Sequence, residues 1–175
     1  MLAALAAWPC LAARAQADAP APEIAAALPM ARPIGRGRMR YLGFTVYDAR
    51  LWAQAGFRGA QFEREPFVLE LVYARRLDGR DIAQRSIELM RRLGPIEQTQ
   101  AAAWRAAMER AFPDVAAGDR LCGLYRPSGL AAFWHNGRPT ATIEDADFAR
   151  RFFGIWLAET TTEPQLRLQL LGHAP

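Results

Sequence analysis

The chain has 175 residues, 51% of them hydrophobic and 23% charged, a length and balance that give one domain a real core and exclude a disordered polypeptide. Its formal charge is +4 and all 22 cationic residues are arginine, which excludes a lysine Schiff base, an internal pyridoxal aldimine and a P-loop lysine. The arginines are dispersed, with RGRMR at 36–40 the one cluster, so nucleic-acid binding is not expected.

The chain opens on MLAALAAWPCLAARA, an Ala/Leu run without an acidic group. Ala13-Arg14-Ala15 and Ala15-Gln16-Ala17 are both small-x-small cleavage patterns. This predicts a signal peptide over residues 1–17 and a periplasmic or secreted product. Residues 18–34 are rich in Ala and Pro and read as a linker, leaving a domain at 35–175. No other segment approaches the roughly 18 apolar residues of a membrane span. Once the leader is removed Cys122 is the remaining thiol, so no intramolecular disulfide is expected.

MRYLGFTVYDARLWA (39–53) alternates apolar and polar residues and predicts one long strand, bent near Gly43. FVLELVYA (67–74) is a second strand. Leu77-Asp78-Gly79 then makes a turn, Asp78 or Asp81 is placed to cap, and Ile82, Ser86, Leu89 and Leu93 recur at helical spacing as far as Gly94. A second helix is expected over 97–112, with Trp104, Met108 and Ala111 as its buried stripe and Pro113 as its stop. Three strands follow, at 119–127, 130–136 and 138–144, joined at Ser128-Gly129 and at Asn136-Gly137, a favoured two-residue hairpin turn. Asp145 caps a helix over 147–157, and Glu163 opens a last one over 163–172. The order of elements argues for an α+β fold, with helices on one face of a largely antiparallel sheet.

The residues that carry chemistry are few. The two serines, Ser86 in a helix and Ser128 in a turn, lie outside any G-x-S-x-G elbow. His135 and His173 lack the i, i+3 or i, i+4 partners of a metal-ligating helix, so no metal site is expected. Gly35-Arg36-Gly37 lacks the third glycine of a dinucleotide loop, and no cofactor is expected. Cys122 reads as a buried, inert thiol, and most of the acidic residues as helix caps, first turns and loops. Glu70 is the exception, an acid inside a strand, for which an exposed edge position is expected. Arg40, Tyr41, Tyr47, Tyr73 and Arg75 remain: guanidinium and phenol groups on strands, able to fix a carboxylate or phenolate at an apolar cleft.

Three segments, MRYLGFTVYDARLW, FVLELVYARRLDGRDIAQRSIELMRRLG and FARRFFGIWLAETTTEPQLRLQLLG, together resemble the chalcone isomerase superfamily and its bacterial chalcone-isomerase-like branch, over about residues 35–172. The resemblance implies an open-faced sandwich, a large antiparallel sheet covered on one face by helices. It also implies a cleft between them. In plant members an arginine, a strand threonine, a helix tyrosine and asparagine and a late threonine or serine support cyclisation of a chalcone. Carried over, the strand threonine falls on Leu42, the tyrosine on Ile82, the asparagine on Leu89 and the late threonine on Ile155. The arginine falls near Met30, with Arg32, Arg36, Arg38 and Arg40 close by. Loss of those hydroxyl and amide groups argues against flavanone synthesis.

The superfamily also includes non-catalytic members that hold fatty acids. The expectation is therefore an exported binding protein for a fatty acid or aromatic acid, its ligand touching Arg40, Tyr41, Leu42, Tyr47, Tyr73, Ile82, Leu89 and Ile155. One alternative is an intramolecular lyase or isomerase using Arg40, Tyr47 or Tyr73. Another is a partner-docking subunit with an exposed patch at Phe152, Phe153 and Trp156.

Overall fold

In the computed structural model, which describes residues 19–173, six strands form one antiparallel sheet in chain order. They are β1 (Arg32–Tyr41), β2 (Phe44–Ala53), β3 (Phe67–Tyr73), β4 (Arg120–Arg126), β5 (Leu130–His135) and β6 (Arg138–Glu144). Between β3 and β4 the chain builds two helices, α2 (Gly79–Arg92) and α3 (Gln98–Ala111), and after β6 it adds α4 (Ala146–Leu157) and α5 (Pro164–Leu170). A six-residue helix, α1 (Pro22–Ala27), precedes the sheet, and a short 3₁₀ segment, Gly59–Arg64, lies between β2 and β3. This is the expected α+β architecture.

The period of two in the strands decides the two faces. Leu69 and Leu71 of β3, Leu121 and Tyr125 of β4 and Phe133 of β5 point to the helices and share a core with Met90, Met108, Phe148 and Phe153. Val68, Cys122 and Leu124 point the other way, with Trp52, and meet Ile24 and Leu28. The Ala/Pro stretch expected as a linker is therefore part of the fold. Ile24 and Leu28 are 1% and 2% exposed, because the outer sheet face is too apolar to leave in water and two aliphatic side chains one turn apart cover it. Arg126 donates to the Ala27 carbonyl at 3.0 Å and Gln54 to the Pro29 carbonyl at 2.9 Å, which satisfies the exposed end of α1.

The strand expected over 39–53 is instead a hairpin. Tyr41 pairs with Phe44, and Leu42 and Gly43, at φ 49° and 83°, form the two-residue loop. Asn136 and Gly137 make the same turn between β5 and β6, at φ 49° and 82°. Leu42 carries none of the turn chemistry of Asn136, so the sequence pattern concealed the reversal. At the start of α2, Asp78 makes no side-chain cap. The Gly79 N–H instead donates to Asp114, 35 residues on, at 3.0 Å. Asp145 does cap α4, accepting from the Phe148 N–H at 2.9 Å.

Glu70 is not at an edge. It sits on β3, third of the six strands, and is 7% exposed. One carboxylate oxygen accepts from Trp52 Nε1 at 2.9 Å, and the other lies 3.6 Å from Arg120 Nε. Arg120 also donates to Glu23 of α1. Two nearly buried carboxylates thus share one guanidinium, which pins α1 to the sheet. Removing the cation strands both acids in a site that water reaches poorly. Arg120→Ala is expected to lower the unfolding free energy by about 3 kcal/mol, read as a fall in urea midpoint. A change below about 0.5 kcal/mol, the range of surface substitutions, would refute the pinning role.

Candidate functional site

The helices do not lie flat on the sheet. Between its inner face and the pair α2 and α4 is a cavity of about 380 Å³, open at one side. Leu69, Leu71 and Leu121 form its floor, Ile82 and Leu89 one wall, Phe152 and Ile155 the other. Bulk on both layers holds it open: Phe153 crosses the sheet edge-on to Phe67 and Tyr125, at ring separations of 5.2 and 5.6 Å. Phe153 fits because β4 carries Gly123 beneath it, where a Cβ would lie 3.1 Å from the ring.

Polar groups enter the cavity at one place. Tyr47 and Tyr73 are directly opposite across β2 and β3, and their rings meet edge to face at 5.8 Å. The Tyr47 hydroxyl accepts from Trp156 Nε1 at 3.0 Å, so its own proton is unspent. The Tyr73 side chain lines the same space and makes no hydrogen bond among the described residues, although it is 3% exposed. Burial pushes both phenols well above the ordinary tyrosine value, and Trp156 only partly offsets this at Tyr47. Both are therefore protonated donors at any physiological pH. Ser86, the other hydroxyl in the wall, donates to the Ile82 carbonyl at 2.8 Å and is occupied. Tyr41, Arg75, Asp81 and Arg85 line the mouth and are exposed.

Five of the eight sequence-predicted ligand contacts lie in the interior of this cavity or its walls: Tyr47, Tyr73, Ile82, Leu89 and Ile155. Tyr41 stands at its mouth. Two do not take part. Leu42 is the hairpin turn residue, 80% exposed, and Arg40 lies in a groove on the outer face of the sheet. Leu42, the position carried over from the family's strand threonine, is taken up by the reversal, and Arg40 faces outward because it alternates along β1 with Met39 and Tyr41, which line the cavity. The aromatic patch expected at Phe152, Phe153 and Trp156 is not on the surface either, since all three are buried and line the cavity. Trp156 was legible as a helical neighbour of Phe152, at i+4, and Arg85 as a neighbour of Ile82, at i+3.

The remaining reactive groups lie elsewhere. Burial, reinforced by Glu70, pushes the Cys122 thiol up to about 12, which makes it inert at neutral pH. His135 lies 3.4 Å from Asp119 at the β5–β6 turn. Among the described residues no three His, Cys, Asp or Glu side chains are grouped to hold a metal ion.

Residues 35–172 match the chalcone isomerase-like family, a span that holds the sheet from the fourth residue of β1 onward and the helices α2 to α5. The chain belongs to the chalcone isomerase-like family. It is 30% identical over 141 residues to an uncharacterized protein of Haemophilus influenzae, across 81% of this chain and 68% of the relative. Among solved structures it is similar to a fatty-acid binding protein of Arabidopsis thaliana, with a TM-score of 0.64 at 13% identity, covering 82% of this chain and 88% of that one. That likeness is one of fold.

The tyrosine pair has a measurable consequence. Each phenol ionises at higher pH when folded than when unfolded, so the unfolded chain releases its protons first. Stability is unaffected below the free value of 10.0 and falls as pH rises through it. The expected slope is about 1.4 kcal/mol per pH unit for each buried tyrosine. Denaturant unfolding from pH 9 to 11 should show it, and Tyr47→Phe with Tyr73→Phe should flatten it. An equal slope in that double variant would refute the assignment.

Proposed function

We propose that this member of the family is an exported binding protein whose cavity holds a carboxylic acid with an apolar body, a fatty acid or an aromatic acid, without transforming it. The observation that carries this reading is the unspent pair of hydroxyl protons on Tyr47 and Tyr73 in a largely apolar cavity. Two neutral donors converging where water is scarce suit a carboxylate, and charge-assisted hydrogen bonds to it are roughly twice as strong as neutral ones. The volume falls in the roughly 300–1,000 Å³ range of small-molecule sites. Arg75 and Arg85 at the mouth favour an anionic ligand. The likeness to a fatty-acid binding protein supports the same ligand class. Export rests on the leader-like residues 1–17, which lie outside the described residues.

A second reading, an isomerase of the chalcone type, draws on the same convergence of tyrosines. It lacks the third group assigned to it, since Arg40 lies on the opposite face of the sheet. Its oxyanion contacts would come from Tyr47 and Tyr73 alone.

Native mass spectrometry of the protein purified from its own host should show a co-purifying acid. Displacement of a fluorescent fatty acid should then give an affinity that falls about thirtyfold in Tyr47→Phe/Tyr73→Phe, the loss of two hydrogen bonds of about 1 kcal/mol each. Ile82→Trp should abolish binding by filling the wall. An empty chain with no displacement across fatty and phenolic acids would overturn the reading, and turnover of a chalcone would favour the isomerase.

A further inference from the structure

We infer that the tip of the β1–β2 hairpin is a docking element for anionic lipid bilayers, set beside the cavity mouth. Three apolar side chains stand out at this tip: Tyr41, Leu42 and Phe44 are 58%, 80% and 66% exposed. Nothing in the fold needs them there. The matching turn at the other side of the sheet uses Asn136 at the same φ, so Leu42 occupies a left-handed position that Asn or Gly would fill with less strain.

Cations surround the tip. Arg36, Arg38 and Arg40 occupy alternate positions of β1 and line one groove on the outer face. Asp48 takes both bonds of Arg38, at 2.6 and 3.0 Å. Arg36 and Arg40 have no acidic partner among the described residues, and Arg36 is paired directly opposite another arginine, Arg50. Arg50 is met by Glu70 at 4.0 Å and by the Trp52 ring, so the charge left open in the groove is that of Arg36 and Arg40. On the neighbouring strand end, the Ala74 N–H bonds to the Val46 carbonyl, which brings the exposed Arg75 level with the hairpin tip. Asp81 and Glu163 are the acids that line the cavity.

An apolar tip with arginines behind it is complementary to a bilayer of anionic lipids, whose acyl region accepts Leu42 and Phe44 and whose headgroups meet Arg40. Tyr41 joins the two features, since it belongs to the tip and lines the mouth. Passage of an acyl chain between bilayer and cavity rests on the ligand reading above; docking does not.

The test is sedimentation of the protein with vesicles of phosphatidylcholine alone and of phosphatidylcholine with phosphatidylglycerol. Retention is expected on the anionic vesicles and should weaken with salt. Arg40→Gln should reduce it about fivefold, and Arg36→Gln less, since it stands about 13 Å further back, beyond the Debye length. Leu42→Asn with Phe44→Ser should reduce it at least tenfold with an unchanged circular dichroism spectrum, because Asn suits the turn. Absence of retention on either vesicle, retention indifferent to Leu42 and Phe44, or retention on duplex DNA but not on vesicles would overturn the inference. Fatty-acid displacement in solution, run in parallel, separates the two readings: vesicle retention without displacement supports docking and removes the transfer role.

Discussion

The rest of this structure depends on β3 having to be dry on both sides. Phe67, Val68, Leu69, Glu70, Leu71 and Tyr73 are all buried, and Val72 alone of the seven residues is exposed. A strand with that content is stable only between two covers, and the chain supplies them from distant parts of its length. The inner cover is α2 to α5, the outer one the short α1. The one charge enclosed on the way, Glu70, is held by Trp52 and shared with Arg120, which in turn binds Glu23 of the outer cover. Burial of β3 and attachment of α1 are thus one event.

The inner cover does not close completely. Phe67, Tyr125, Phe133 and Phe153 pack edge to face or stacked, and such rings hold their layers apart at a distance that aliphatic side chains at the far end do not fill. The space left is largely apolar, with the Tyr47 and Tyr73 hydroxyls at one end and Glu163 in its lining. Ile82, Leu89 and Ile155, the positions at which the family resemblance implied polar groups, line this space with aliphatic side chains. Its mouth and the apolar hairpin tip meet at Tyr41, which puts the entrance where a lipid surface can approach.

Much of this was legible residue by residue. The α2 periodicity through Ile82, Ser86 and Leu89, the Asn136-Gly137 turn and the Asp145 cap are local signals, and each is where the sequence put it. The hairpin at Leu42-Gly43 was not, because a leucine in a left-handed turn gives no turn signal. That reversal took Leu42 out of the predicted site, and alternation along β1 took Arg40 out, since Met39 and Tyr41 on either side of it face the cavity. The α2 cap came from Asp114, far along the chain, where no local pattern could point to it.

Sequence by itself determined the class of the fold, the helices and strands after residue 67, the absence of lysine chemistry and the family resemblance, because these depend on period, turn residues and composition. Tertiary structure decided which side of the sheet each strand residue serves. It turned Phe152, Phe153 and Trp156 from a surface patch into cavity wall, made Glu70 a buried anchor and brought Tyr47 opposite Tyr73. Alternation says only that two faces exist. Which one is covered, by what and how closely depends on contacts between residues a hundred or more positions apart, such as Tyr47 with Trp156, and those contacts exist only once the chain has folded.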